Sequence, residues 1–360
     1  MPPSLRRISA GIPAYNTGPR LREAVRSLLT QTLPPGFEWS SLYIVVSGCT
    51  DDTPSIADAL ARADPRVIVV RQIGREGKAS ALRAVFERAD GEGLVLLNGD
   101  ATAEPGSVAS LLGAAAGAPP PFAIMGRPCL PKGTSGGFRR GIEVLWELHH
   151  RLHEATLGGP LGNHLSDELW LLSLPILPAL PHGVVNDGAY VGAWLRGHGG
   201  QVRYSPEARV TIEVPRTAAE HLRQRRRIAW GNGQVRELLG VAPVTWVEWA
   251  MLDPPTAFRI LVQILRTRPV VLPWTLFLVV LEVEAMFLAK WDRHVTGRNH
   301  VLWEVVPPDR TGPSPGGPLE GPAEGDPRWI HRWGPSEGRP TPQREEPGAR
   351  PRSQRYLEEG

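Results

Sequence analysis

Along residues 8–97, short runs of β-prone apolar residues alternate with segments whose apolar positions recur at helical spacing. Residues 8–12 read as a strand ending in the turn Pro13-Ala14-Tyr15-Asn16. Pro19 can open the next helix, because its fixed φ suits a first turn, and Leu21, Val25, Leu28 and Leu29 form that helix's apolar stripe. Residues 42–46 are a second strand. Thr53-Pro54 pairs a cap with a first-turn proline and starts a helix reaching Ala63. A third strand at residues 67–70 leads to a helix after Gly77, with Ala81, Leu82, Val85 and Phe86 on one side. The fourth strand, residues 94–97, ends in the polar turn Asn98-Gly99-Asp100, and Glu104-Pro105 opens another helix. This alternation predicts an α/β fold: a mostly parallel, doubly wound sheet with helices on both faces. Ligands of such sheets bind at the carboxyl ends of strands, where the turns after strands one, two and four fall.

The pattern changes in the second half. A long helix is expected over residues 138–157, a β-like run at 169–173, a helix over 187–196, a short strand at 202–204 and a basic helix over 217–239. An amphipathic basic stretch, residues 256–266, precedes the nearly continuous apolar segment VVLPWTLFLVVLEVEAMFLA, residues 270–289. Its length suits a bilayer span, but Glu282 and Glu284 are costly in hydrocarbon and Pro273 would kink it. Membrane association, spanning or interfacial, stands beside a buried core helix or a dimer interface. Residues 307–360 are crowded with Pro, Gly, Arg and Glu and read as a disordered tail, with Trp329, Ile330 and Trp333 as its few apolar anchors. The expected organisation is a catalytic domain over 1–240, a helical, membrane-compatible segment over 241–306 and the tail over 307–360.

Composition narrows this only slightly. The net charge of +3 is a mild basic excess compatible with diphosphates or membrane surfaces, and no nucleic-acid partner is expected. Cys49 and Cys129 are too few for a disulfide framework and lack metal-ligand spacing, so reduced thiols in a cytoplasmic protein are expected. Residues 1–7 contain no apolar stretch of the kind a secretory signal needs.

Six segments occur in a fixed order: GIPAYN (11–16), VVSGCTDDT (45–53), REGKASAL (75–82), LLNGDATAEPGSV (96–108), VNDGAYVGAWLRGHG (185–199) and RQRRRIAWG (223–231). Each is weak alone, but the ordered set, covering roughly residues 7–235, resembles the family 2 glycosyltransferases of GT-A fold. The resemblance implies a hexosyltransferase-like enzyme that moves a sugar from a nucleotide-diphosphate-sugar donor to an acceptor hydroxyl, inverting and metal-assisted. The acceptor class it suggests is lipid-linked or polysaccharide, reached in the cytoplasm or at the cytoplasmic face of a membrane.

By the same resemblance, Pro13, Ala14, Tyr15 and Asn16 line the nucleotide pocket, with Lys78 at a helix start suited to an anion. Asp100 matches the last acid of the DxD position and would ligate Mg²⁺ or Mn²⁺, a hard cation suited to oxygen donors, while Asn98 replaces the first acid and keeps a sugar-binding amide. Val46 and Ser47 stand where the family commonly has two carboxylates; Ser47 retains a hydrogen-bonding group. Asp187 matches the second acid of a Glu-Asp pair, the proton acceptor, with Asn186 in the first place. Gln224, Arg225, Arg227 and Trp230 resemble the Q-x-x-R-W element, although Ile228 follows Arg227 and the Trp comes two positions late. Arginines there can offset diphosphate charge and the Trp can stack on a sugar. Each residue has a plainer reading: Asp51 and Asp52 as helix caps, Asn-Gly-Asp as a tight turn, Asp187 as an N-cap, the arginines as a solvated helix face. A degenerate sugar- or nucleotide-binding protein and another nucleotide-dependent transferase remain as alternatives. The missing GxGxxG after the first strand counts against dinucleotide chemistry.

Overall fold

The computed structural model describes residues 6–131, 136–156, 165–174, 176–241 and 243–302. These all fall within one compact unit, Met1–Val306. The expected tail at 307–360 lies outside the described residues.

The first part runs β1 (Arg6–Ala14), α1 (Arg20–Leu29), β2 (Phe37–Ser47), α2 (Thr53–Ala63), β3 (Val67–Gln72), α3 (Lys78–Phe86) and β4 (Gly93–Leu97). There follow β5 (Thr102–Ala103), α4 (Ser107–Ala115), β6 (Phe122–Cys129), α5 (Gly137–Thr156), β7 (Leu169–Ser173), α6 (Asp187–Gly197), β8 (Gln201–Thr211) and α7 (Ala218–Leu239). The last helices are α8 (Trp246–Leu252), α9 (Pro254–Thr267) and α10 (Leu272–Trp291). The eight strands form one sheet in the order β3-β2-β1-β4-β7-β6-β8-β5. β3, β2, β1 and β4 are parallel, as are β6 and β8, whereas β7 runs antiparallel between β4 and β6 and β5 is antiparallel at the edge. The parallel half is the one expected from the sequence.

Strand alternation builds a core on each side of the sheet. On β4, Val95 and Leu97 face one cluster with Leu21, Val25 and Leu28 of α1, while Leu94 and Leu96 face the other with Leu82 and Val85 of α3. Fully burying each such side chain stabilises by about 1.5–3 kcal/mol relative to exposure.

Several boundaries differ from the sequence expectation. β8 is eleven residues rather than a short strand, because pairing with β6 and β5 supplies backbone partners to a segment with no apolar run. β6 has no counterpart in the sequence reading; prolines flank and interrupt its apolar residues. α4 starts at Ser107, not at Glu104-Pro105. There the Glu104 amide donates to Arg209 O (2.9 Å) and its carboxylate pairs with Arg209 Nε (3.0 Å), prolonging the β5–β8 contact. Left-handed Gly106 then turns the chain into the helix.

α10 packs against α5 and α7. A Cβ at Gly141 of α5 would stand 2.7 Å from Leu278 Cδ1 and 3.1 Å from Trp274 Cβ, so the two helices approach over a bare glycine. The Gly141→Val variant is expected to lose about 1–3 kcal/mol through overpacking, read as a lowered denaturation midpoint. An unchanged midpoint would mean that α5 and α10 are not packed this closely.

Candidate active site

The carboxyl ends of β1, β2 and β4 lie on one edge and are tied together by their turns. Asn16, at φ 49°, accepts from Thr50 N (2.8 Å) and donates through Nδ2 to Thr50 Oγ1 (3.0 Å). Thr53 Oγ1 accepts the amides of Thr17 and Gly18, each at 2.9 Å. Asp51 accepts from Thr53 N (3.0 Å), so it rather than Asp52 caps the start of α2. A Cβ at Gly99 would lie 2.9 Å from Pro13 O, so the Asn98–Asp100 turn can close on the β1 turn only because residue 99 has no side chain. Arg75 stacks its guanidinium over Tyr15 at 4.0 Å. Ser47 is engaged locally: its hydroxyl donates to Gly74 O (3.4 Å) and accepts from Glu76 N (3.3 Å).

A charged cluster forms behind these turns. Lys78, the first residue of α3, donates to Asp167 Oδ2 (2.5 Å) and stands 3.2 Å from Asp187 Oδ2. Its ammonium thus meets two carboxylates rather than standing free for an anion. Asp187 is only 2% exposed and opens α6. The cap of that helix is Asn186, not Asp187: Asn186 Oδ1 accepts from Ala189 N (3.2 Å) and Nδ2 donates to Asn232 Oδ1 (2.7 Å). With the cap supplied by its neighbour, the Asp187 carboxylate turns to the cluster. Gln234 of α7 fixes the approach to it, accepting from Val185 N and donating to Gly183 O, both at 2.9 Å.

Burial pushes the Asp187 carboxyl up to about 6; Lys78 opposes the rise and Asp167 adds to it. Burial and the Asp167 charge push Glu168 up to about 7, against a hydrogen bond from Ser166. For Asp167 burial acts upward but is outweighed by Lys78, which holds it below the usual range. Lys78 is raised, because the carboxylates outweigh a burial penalty of the opposite sign. Burial lowers Arg227, with the charges of Asp187 and Asp167 opposing.

α7 distributes its basic residues between two sides. Arg227 joins the cluster electrostatically and donates Nε to His300 O (3.3 Å). Arg225 instead pairs with Glu282 of α10 (2.6 Å), whose same oxygen lies 3.3 Å from His221 Nε2. Arg226 donates Nε to Asp292 Oδ2 (2.5 Å), which His300 Nε2 also meets at 2.7 Å. Trp230 lies under Arg293, 4.6 Å from ring to guanidinium, and 5.8 Å from the His300 ring. Gln224 is half-buried one turn before Arg227. Val301 crosses beside Gly77, where a Cβ would lie 3.3 Å from Val301 O.

Of the residues singled out in the sequence, Lys78, Asp187 and Arg227 therefore converge, with Tyr15 linked to them through Arg75. Arg225 and Trp230 face α10 and the turn after it. Asp100 is exposed, and Asn98 joins its turn to the cluster by donating its backbone N–H to Glu168 O (3.2 Å). Asp167, Glu168, Gln234 and Arg75 were not singled out. A signal existed for two of them: Ser166-Asp167-Glu168 directly precedes the fully buried LWLLS of β7, which starts where β4 ends.

A divalent metal would find oxygen donors at Asp100 and Asn98, and no group of three or more His, Cys, Asp or Glu able to hold a metal occurs among the described residues. That donor set fits an ion that keeps waters and arrives with a diphosphate rather than one caged by protein.

Residues 9–167 match the family model described as glycosyl transferase family 2. Glycosyltransferase AglD of Haloferax volcanii is 35% identical over 95 residues, 26% of this chain and 15% of that protein. Glycosyltransferase GlyG of Streptococcus pneumoniae serotype 4 is 34% identical over 93 residues, 26% of this chain and 30% of that protein. The chain thus spans less than a third of either relative's length. Among solved structures, mannosyltransferase PcManGT from Pyrobaculum calidifontis, in complex with GDP-Man and Mn²⁺, superposes with a TM-score of 0.54 at 19% identity, covering 82% of this chain and 88% of that one. That likeness concerns the fold, a GT-A-like mixed sheet flanked by helices and followed by further helices. Residues 9–167 carry a glycosyl transferase family 2 domain; the strand-end turns, Lys78 and Asp167 fall within it, whereas Glu168, Asp187 and Arg227 lie beyond its matched residues.

Proposed function

We propose that the chain is an inverting glycosyltransferase that uses a nucleotide-diphosphate-sugar donor, with Asp187 as the base. The observation that carries this reading is a buried carboxylate, pushed up to about 6, held beside Lys78 and Arg227 at the carboxyl edge of a family 2 domain. At neutral pH such a group is ionised yet still basic enough to accept a proton from a hydroxyl. The acceptor oxygen attacks the anomeric carbon as the bond from that carbon to the diphosphate oxygen breaks. The hydroxyl proton passes to Asp187 and the nucleoside diphosphate leaves. Arg227 and Arg75 offset the charge that develops on the leaving group, while Lys78 fixes the two carboxylates relative to one another. Tyr15, under Arg75, presents an aromatic face at the edge where the base or ribose would lie, and Asn98 a sugar-binding amide.

A Mg²⁺ or Mn²⁺ ion, when bound, neutralises diphosphate charge, and Asp100 is the residue that would hold it. The acceptor class the family resemblance suggests is a lipid-linked or polymeric glycan.

Turnover measured across nucleotide-sugar donors with Mg²⁺ or Mn²⁺ tests this. One donor is expected to be consumed, and Asp100→Ala should slow it about 100-fold or more, the scale of several kcal/mol of lost charge stabilisation. Metal-independent turnover equal in wild type and Asp100→Ala would remove the metal assignment. Absence of turnover with retained nucleotide binding would favour the binding-protein alternative.

A further inference from the structure

Among the described residues, one helical stretch, Pro269–Thr296, is long and apolar enough to cross a membrane. Its core, α10, is about 30 Å long at 1.5 Å per residue, and it has two unlike faces. Leu278, Leu281, Glu282, Ala285 and Ala289 face α5 and α7 and are buried. On the opposite side Leu276, Val280, Val283 and Phe287 are 58, 62, 57 and 62% exposed. Trp291, 48% exposed, ends the outward face, whereas the Trp274 indole packs over Gly137 of α5. An outward apolar stripe of this length requires a covering phase.

We infer that the outer face of α10 lies in the interfacial layer of an anionic bilayer, with the helix axis parallel to the membrane plane. Charge complementarity supports that occupant. Arg266 and Arg268 precede the stripe, Lys290 and Arg298 follow it, all exposed, while Glu284 is the only exposed acid on α10. Basic ends, the Trp291 indole at one end and a mainly aliphatic middle, broken by Glu284 between Val280 and Phe287, match the headgroup and upper acyl region of such a surface.

The inner face excludes a span. Glu282 is tied to Arg225 and His221, and Asp292, just after α10, is tied to Arg226 and His300. Moving α10 into the bilayer core would strip both acids of partners on α7 or drag the basic helix with them, and either is costly in hydrocarbon. The same cations disfavour a second copy as the cover, since a two-fold pairing of the stripe would bring basic ends against basic ends.

The inference concerns binding and does not depend on sugar transfer. The full chain is mixed with phosphatidylcholine vesicles, with or without phosphatidylglycerol, and floated on a density gradient. It is expected to float with the anionic vesicles, to be released by high salt or alkaline carbonate, and to bind neutral vesicles more weakly. The double variant Val280→Glu/Phe287→Glu alters only exposed positions, so its melting temperature should match wild type while its partition falls about 100-fold or more. No flotation of the folded wild type overturns the proposal. Flotation that survives carbonate overturns it in favour of a span. A dimer seen by light scattering and dispersed by the same variant overturns it in favour of a second copy.

Discussion

Asp187→Asn is expected to leave a folded protein that binds the donor but transfers sugar about 10²–10⁴-fold more slowly, the usual contribution of a positioned base. Asn keeps the shape of a side chain that is 2% exposed, so packing at the start of α6 is preserved while the proton acceptor is removed. The wild-type rate should also fall as pH drops through about 6, because burial has lifted the carboxyl to that value and only its ionised form can take a proton. The Asn variant should lose that acidic limb together with most of its rate. Donor affinity measured by titration calorimetry separates the two roles: an unchanged affinity with a collapsed rate marks a base. Turnover within a few-fold of wild type would remove Asp187 from the reaction.

Arg225→Met is expected to destabilise the protein by about 3–5 kcal/mol, because Glu282 would stay buried with its main ion-pair partner gone. For a domain of this size that corresponds to a drop of roughly 6–20 °C in melting temperature. The double variant Arg225→Met/Glu282→Met should recover most of the loss, since a well-packed apolar pair of similar volume often matches a buried ion pair. In the folded Arg225→Met protein the donor KM should be close to wild type, which separates this arginine from Arg227. A donor KM raised tenfold or more at unchanged stability would return Arg225 to the nucleotide site.

The two variants lie two residues apart from Arg227 or across the cluster from it, yet they test different properties. The motif QRRR in residues 224–227 looks uniform in sequence. On a helix, successive residues are about 100° apart, so Arg225 and Arg227 point to different sides. Which side meets the carboxylates and which meets α10 depends on where α7 packs, and that is a tertiary fact. Asp187 behaves similarly. Its spacing within VNDGAYV marked a helix start with an acid, but the cap went to Asn186 and the acid to Lys78 and Asp167. Asp167 comes from the start of β7, far along the chain, and reaches Lys78 only because β7 pairs antiparallel with β4. No local pattern encodes that pairing.

The local patterns did determine the parallel half of the sheet. The alternating apolar positions of β1, β2 and β4 and the Thr53-Pro54 helix start are set by side-chain period and backbone geometry within a few residues, and they placed three polar turns at one edge. Those local patterns by themselves determine the class of fold and gather three polar turns at the edge where ligands of such sheets bind. Tertiary structure decided which charges share that edge. It joined Lys78, Asp167, Asp187 and Arg227 from four separate elements, left Asp100 exposed, and buried Glu282 against Arg225 while the rest of α10 kept an apolar face outward. Period and propensity act over one or two turns of chain, whereas burial and charge pairing act between segments a hundred residues apart, and only the folded chain brings those segments together.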